Sequence, residues 1–69
     1  MKIYRVEWYL AREQQFIIRY YANKHEAYER FEMLKNGLHR GSWVSLDEIV
    51  DNCDGHGFFE SDQLEFVEI

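Results

Sequence analysis

The stretch IYRVEWYLAREQQFIIRYY, residues 3–21, contains the pattern that decides the fold. Residues 3–10 and 15–21 each alternate with the two-residue period of a half-buried β-strand. The four residues between them are polar and few enough for a hairpin turn. We therefore predict an antiparallel hairpin with one face on the core. The predicted core face consists of Tyr4, Val6, Trp8, Leu10, Phe16, Ile18 and Tyr20.

A helix is predicted directly after this hairpin, over residues 24–36. Asn23 can accept a hydrogen bond from a first-turn N–H group, and Glu26 follows at the spacing of a capping box. Gly37 is expected to end the helix in the left-handed conformation that glycine tolerates. An apolar stripe at helical spacing should face the sheet. It comprises Ala27, Tyr28, Phe31, Leu34 and Leu38.

The second half of the chain is less clear. Residues 43–50 fit a strand with Val44, Leu46 and Val50 on one side, but Ser45–Glu48 also fits a capping box for one helical turn. The β-branched content favours a strand. Residues 51–62 should form a polar loop and residues 63–69 a last strand. The predicted fold class is therefore α+β, in the order ββαββ. We expect one antiparallel β-sheet of about four strands with a single helix packed on one face.

The size of the chain restricts its organisation and its compartment. Sixty-nine residues make a single compact domain, 1–69. Cys53 is the only cysteine, so no disulfide can form within the chain, which fits a reducing compartment. The start of the sequence predicts no signal peptide, and no apolar stretch approaches the ~20 residues of a membrane span. We expect a cytoplasmic protein without a membrane partner.

Charge divides the chain sharply. The net charge is −5, but residues 1–40 hold all eight Lys and Arg against five Glu, which gives +3. Residues 41–69 hold eight Asp and Glu and no Lys or Arg, which gives −8. An asymmetry of this size affects partners and association rates rather than the fold.

The loop around Cys53 is the first candidate for chemistry. In an EF-hand calcium loop with Gly55 at position 6, Val50 would occupy position 1 and Ser61 position 12. Position 1 needs an oxygen ligand and position 12 a glutamate, which these residues do not supply, so the calcium-loop pattern fails. Cys53 and His56 could supply two zinc ligands, but no second pair is spaced to match, and only the fold could recruit His39 or Asp54. A Cys–His nucleophile would also need an orienting group and an oxyanion hole. We therefore expect no metal, no cofactor and no enzymatic activity.

The acidic half gives the leading functional hypothesis, which is docking onto a basic surface of a protein partner. Its carboxylates could stand in for nucleic-acid phosphates and occupy the groove of a nucleic-acid enzyme. In size and charge the chain resembles the small inhibitors that phages and mobile elements encode against host defence, of the anti-CRISPR kind. The predicted docking residues are Asp47, Asp51, Asp54, Glu60, Asp62 and Glu65.

Two alternatives remain open at this stage. The face of the first hairpin opposite the predicted core mixes aromatic residues with arginines, a combination that can stack bases and neutralise phosphates. Its candidate binding residues are Arg5, Tyr9, Arg19 and Tyr21. The same face could instead serve a structural homodimer or an accessory subunit, which would also support a marginally sized core.

Overall fold

The computed structural model describes the backbone of residues 2–51 and 59–69. Its elements are β1 (Lys2–Leu10), β2 (Gln15–Tyr21), α1 (Lys24–Gly37), β3 (Trp43–Asp51) and β4 (Phe59–Glu68). The strands form one antiparallel sheet in the order β2-β1-β3-β4. The predicted ββαββ fold is confirmed, and residues 43–50 belong to a strand rather than to a helical turn.

The core lies between the two central strands and the helix. Alternation on β1 and β3 directs apolar side chains to the helix side, where Ala27 and Phe31 of α1 meet them. The helix packs mainly on β1 and β3 and to a smaller extent on β2. The buried apolar residues are Tyr4, Val6, Trp8, Ala27, Phe31, Val44 and Leu46.

The helix starts and ends close to the predicted residues. The predicted cap at Asn23 is confirmed, but the predicted conformation of Gly37 was wrong. The Asn23 side chain accepts hydrogen bonds from the backbone N–H groups of His25 (2.8 Å) and Glu26 (3.3 Å), which confirms the predicted cap. Gly37 does not adopt the left-handed conformation. The chain instead leaves the helix at Leu38 in an extended conformation, and the Leu38 N–H donates to the Leu34 carbonyl at 3.0 Å.

The predicted core face of β2 was wrong by one residue. Trp8 lies in register with Ile17, and Tyr4 lies in register with Tyr21. Directly opposed residues of a strand pair share a face, so it is Ile17 and Tyr21 that pack against the core. The expected core residues Phe16, Ile18 and Tyr20 lie on the other side of the sheet, where they are exposed.

A register shift between Leu46 and Asp47 in the β3–β4 pair changes which β4 residues face the helix. A bulge places two residues of one strand opposite one residue of its neighbour and so resets the alternation. Leu64, before the shift, and Val67 and Ile69, after it, consequently all pack against the core. The shift lets β4 bury apolar residues that strict alternation would place on opposite faces.

The turn of the first hairpin holds Gln14 at a φ of 53°, in the left-handed region that is unfavourable for residues with a Cβ. We expect Gln14→Gly to raise the free energy of unfolding by about 0.5–1 kcal/mol, because it relieves this strain. The matched change Gln15→Gly, one residue later in β2, should lower it by a similar amount. Urea denaturation of both variants tests this difference, and equal shifts in the same direction would contradict it.

Within residues 2–51 and 59–69, no helix has the length and apolar character that crossing a membrane requires.

Candidate interaction surfaces

One of the expected docking carboxylates, Asp47, lies in the seam between β1 and β3. Asp47, predicted as an exposed docking residue, is buried, and its Oδ2 lies 3.0 Å from Nη2 of Arg5. Its neighbour Glu48 pairs with Lys2 at 3.7 Å between Oε1 and Nζ. Asp47 is therefore removed from the exposed acidic set, because its charge is already compensated inside the sheet.

Arg5 lies between two carboxylates on the sheet surface. Its Nε lies 2.6 Å from Oε1 of Glu7, and its Nη2 donates to Asp47. Burial favours the uncharged form, yet the hydrogen bond with Asp47 and the charges of Glu7 and Asp47 outweigh it, so the pKa of Arg5 is raised. The guanidinium is thus a neutralised structural cation, unsuited to binding phosphate.

Three exposed acids of the described chain lie on β4, which is a free edge of the sheet, and four others, Glu13, Glu26, Glu29 and Glu32, lie on the first hairpin and the helix. Asp62, Glu65 and Glu68 are all exposed, and the strand rise separates neighbours by about 10 Å. Their register partners place Asp62 and Glu65 on the helix side of the sheet and Glu68 on the other side. No cation in the described part of the chain lies within ion-pair distance of them. Glu68 was not among the predicted residues, although its place in the alternating last strand was a signal that could have identified it.

The basic residues are spread over β1, β2, α1 and the connections that follow them. None of the eight Lys and Arg belongs to β3 or β4. β2, at the far edge, lies three strand spacings from β4, or about 14 Å. This exceeds the screening length of about 8–10 Å at physiological salt, so Arg19, the one basic residue of β2, has little effect on the acidic edge. Arg40 lies nearer, because the N–H of the next residue, Gly41, donates to the Ile69 carbonyl at 2.9 Å.

Several of the sequence-based candidates fall where the structure gives no side chain. Asp54, Cys53 and His56 lie outside the described residues, and for Asp51 and Glu60 only the backbone is described. Their place relative to Asp62 and Glu65 therefore remains a prediction. Among the described residues, no group of three or more His, Cys, Asp or Glu is placed to hold a metal ion.

The proposed nucleic-acid face does not exist as one surface. Arg5 and Tyr9 lie on the side of the sheet away from the helix. Arg19 is in register with Val6, and Tyr21 with Tyr4, so both lie on the helix side. Tyr21 is further engaged there, because its Oη accepts a hydrogen bond from Nε of Arg30 at 3.1 Å. The one-residue error in the β2 face explains this separation.

The side of the sheet away from the helix, which we call the open face, has no helix or strand packed on it within the described chain. At one end Trp43 lies between Phe16 and Phe66, with ring centroids 5.5 and 6.0 Å apart. We call these three residues the aromatic row. Sequence reasoning missed the row, although Trp43 alternates with the core residue Val44 and so had to face the other way.

Two surface hollows are found among the described residues. One, of about 350 Å³, lies on the open face and is lined by Ile3, Arg5, Tyr20, Ile49 and Ser61. The other, of about 390 Å³, lies beside the helix and is lined by Tyr21, Glu26, Glu29, Arg30 and Met33. Neither lining set combines a cysteine or histidine with a second group that could activate it.

The geometry thus defines a small α+β domain with two surfaces suited to binding, an acidic edge and an aromatic open face. Comparison with protein-family models, with curated proteins and with solved structures gives no match for this chain.

Proposed function

We propose that this protein is a non-catalytic binding protein that docks its acidic β4 edge onto the basic, nucleic-acid-binding groove of an enzyme and blocks that groove. In this proposal it acts in the cytoplasm, as an inhibitor of the type that phages and mobile elements encode. The residues assigned to the docking edge are Asp62, Glu65 and Glu68.

One observation carries this proposal, namely that the exposed carboxylates of β4 lie along a single edge strand with no cation paired to them in the described chain. Carboxylates held on a strand keep their spacing, whereas those of a mobile tail would lose conformational entropy on binding. A row of fixed negative charges attracts a basic groove at long range and speeds association.

Edge-strand acids have a second possible role, which the experiment must separate from docking. Charged side chains on a free edge discourage strand-to-strand aggregation. If that were their only role, neutralising them would lower solubility and leave partner binding by the soluble fraction intact. A docking role requires the soluble, folded variant to lose its partner.

The test compares two triple variants as baits in the lysate of the native host. The edge variant carries Asp62→Asn, Glu65→Gln and Glu68→Gln. The matched control neutralises three exposed helix carboxylates, through Glu26→Gln, Glu29→Gln and Glu32→Gln. Monomeric, folded bait is selected by gel filtration and circular dichroism, and captured proteins are quantified by mass spectrometry.

We expect wild-type protein and the helix variant to capture the same nucleic-acid enzyme. The edge variant should capture at least about tenfold less of that enzyme than wild type does. The enzyme should also be released by added duplex DNA or RNA, because both ligands compete for one groove. Equal capture by the edge and helix variants, or a captured protein that nucleic acid does not displace, would contradict the proposal.

A further inference from the structure

The open face also supports an inference beyond the proposed function, and the two surfaces share one residue, Glu68, which lies opposite Trp43. We propose that this face packs against the open face of a second copy of the chain, so that the protein forms a two-fold symmetric dimer with its two sheets stacked. The helices would lie on the outside of this dimer.

The first reason is the character of the surface that the open face leaves in contact with water. Phe16 and Tyr20 are 51% and 61% exposed, and Ile18 and Phe66 are also exposed. By contrast, the polar groups near the middle of the face are already desolvated, because Ser45 and Asp47 are only 6% and 7% exposed. Covering this face would therefore remove mainly apolar surface from water, at little further cost for the charge of Asp47. Glu68, which is exposed on the same face opposite Trp43, lies on the edge strand and would stay hydrated only at the rim of the contact.

The second reason is area. Four strands about 4.8 Å apart and about 28 Å long present about 530 Å² of flat surface, so two stacked faces would cover about 1,000 Å². That reaches the lower limit expected of a specific protein interface. Stacked sheets are also an ordinary way to cover a sheet face, at about 10 Å separation and about −30° between strand directions.

The third reason is self-complementary charge. In a stacked pair, the two-fold axis lies between the sheets and can run along the β1–β3 seam. β1 of one copy then lies over β3 of the other. Because Arg5 and Asp47 are register partners, each Arg5 would lie opposite Asp47 of the partner subunit. In the same arrangement the register places Phe66 opposite Ile18 of the partner subunit, Trp43 opposite Tyr9 of the partner subunit and Phe16 opposite Glu68 of the partner subunit.

The test is sedimentation equilibrium of the full chain over about 1 μM to about 1 mM, the range of weak to moderate association. We expect the wild-type protein to reach twice its monomer mass of 8.5 kDa. Phe16→Glu should weaken the dimer at least about tenfold, since it places a charge in the interface near Glu68 of the partner subunit. Lysine is avoided at this position because it could pair with that carboxylate.

A matched control and a second variant keep the result interpretable. Met33→Glu changes a residue of similar exposure, 57%, on the helix, away from the open face, and should leave the dimer intact. Tyr20→Glu weakens the same interface from another position if Phe16→Glu folds poorly. A wild-type protein that stays at 8.5 kDa to about 1 mM, or dimers that both open-face variants leave unchanged, would overturn the proposal.

Capture by the same baits distinguishes this inference from the proposed function. The acidic edge is unchanged in Phe16→Glu, so a monomeric Phe16→Glu protein should still capture the enzyme that wild-type protein captures. If the wild-type protein is itself monomeric and Phe16→Glu no longer captures the enzyme, the open face binds a different protein. That result would overturn the dimer.

Discussion

Phe31→Ala is expected to lower the free energy of unfolding by about 3–5 kcal/mol, the range of the most damaging core truncations. Among the residues whose side chains the structure describes, Phe31 is the largest that is fully buried, with 2% exposure. It packs from the helix into the cluster that contains Val6, Val44 and Leu46. Removing the ring loses its transfer free energy and leaves a cavity that the surrounding strands can only partly fill.

The size of the domain makes this loss severe. A chain of this length is expected to have a total stability of about 3–10 kcal/mol, so the variant should be largely unfolded or close to it at 37 °C. Urea denaturation followed by circular dichroism and tryptophan fluorescence measures the change. Phe31→Leu, with an expected loss of about 1–2 kcal/mol, keeps the comparison measurable if the alanine variant does not fold.

The control for this prediction is Met33→Ala, two residues later on the same helix. Met33 is exposed, so its replacement should change the free energy of unfolding by less than about 0.5 kcal/mol. A loss below about 1 kcal/mol for Phe31→Ala would contradict the packing described for the helix and the sheet.

Arg5→Met is expected to lower the free energy of unfolding by about 2–3 kcal/mol. The change leaves the buried Asp47 carboxylate without its cation and leaves Glu7 beside it with the same sign of charge. The side chain of Asp47 is only 10% exposed, so water can compensate little of this loss. The measurement is again urea denaturation, at neutral pH.

A double variant separates a charge effect from a packing effect. Arg5→Met combined with Asp47→Leu replaces both partners by apolar groups, and it should recover most of the stability lost by Arg5→Met alone. If the double variant is as unstable as the sum of the single ones, the loss comes from packing of the arginine stem and the buried ion pair contributes little.

The sequence was sufficient for the parts of the fold that local patterns determine. The alternation on residues 3–10 identified the core residues Tyr4, Val6 and Trp8, and the Asn23 cap located the start of the helix. Residues 15–21 misled the prediction because both alternating sets contain large apolar side chains. The four-residue turn then decides the register, placing Gln15 opposite Leu10 and turning Ile17 toward the core.

The candidate sites were predicted less well, because they depend on contacts between distant parts of the chain. Sequence reasoning treated Asp47 as exposed because acidic residues usually are. Its ion pair with Arg5, which is 42 residues away in sequence, is visible only in the folded chain. The β4 register shift, which resets the facing of residues 64–69, has no local sequence signal that we identified. The charge difference between the two halves of the chain was evident from composition. It is kept in the fold because β1 and β2 form one half of the sheet and β3 and β4 the other.

The proposed function rests on whether the β4 carboxylates occupy a basic groove. The most direct measurement is the affinity of the captured enzyme for wild-type protein and for the Asp62→Asn, Glu65→Gln, Glu68→Gln variant as a function of salt. We expect wild-type affinity to fall at least about tenfold between 50 and 200 mM salt and the variant to bind weakly with a shallower slope. Affinity that is insensitive to salt, with the same slope for both proteins, would contradict docking through the acidic edge.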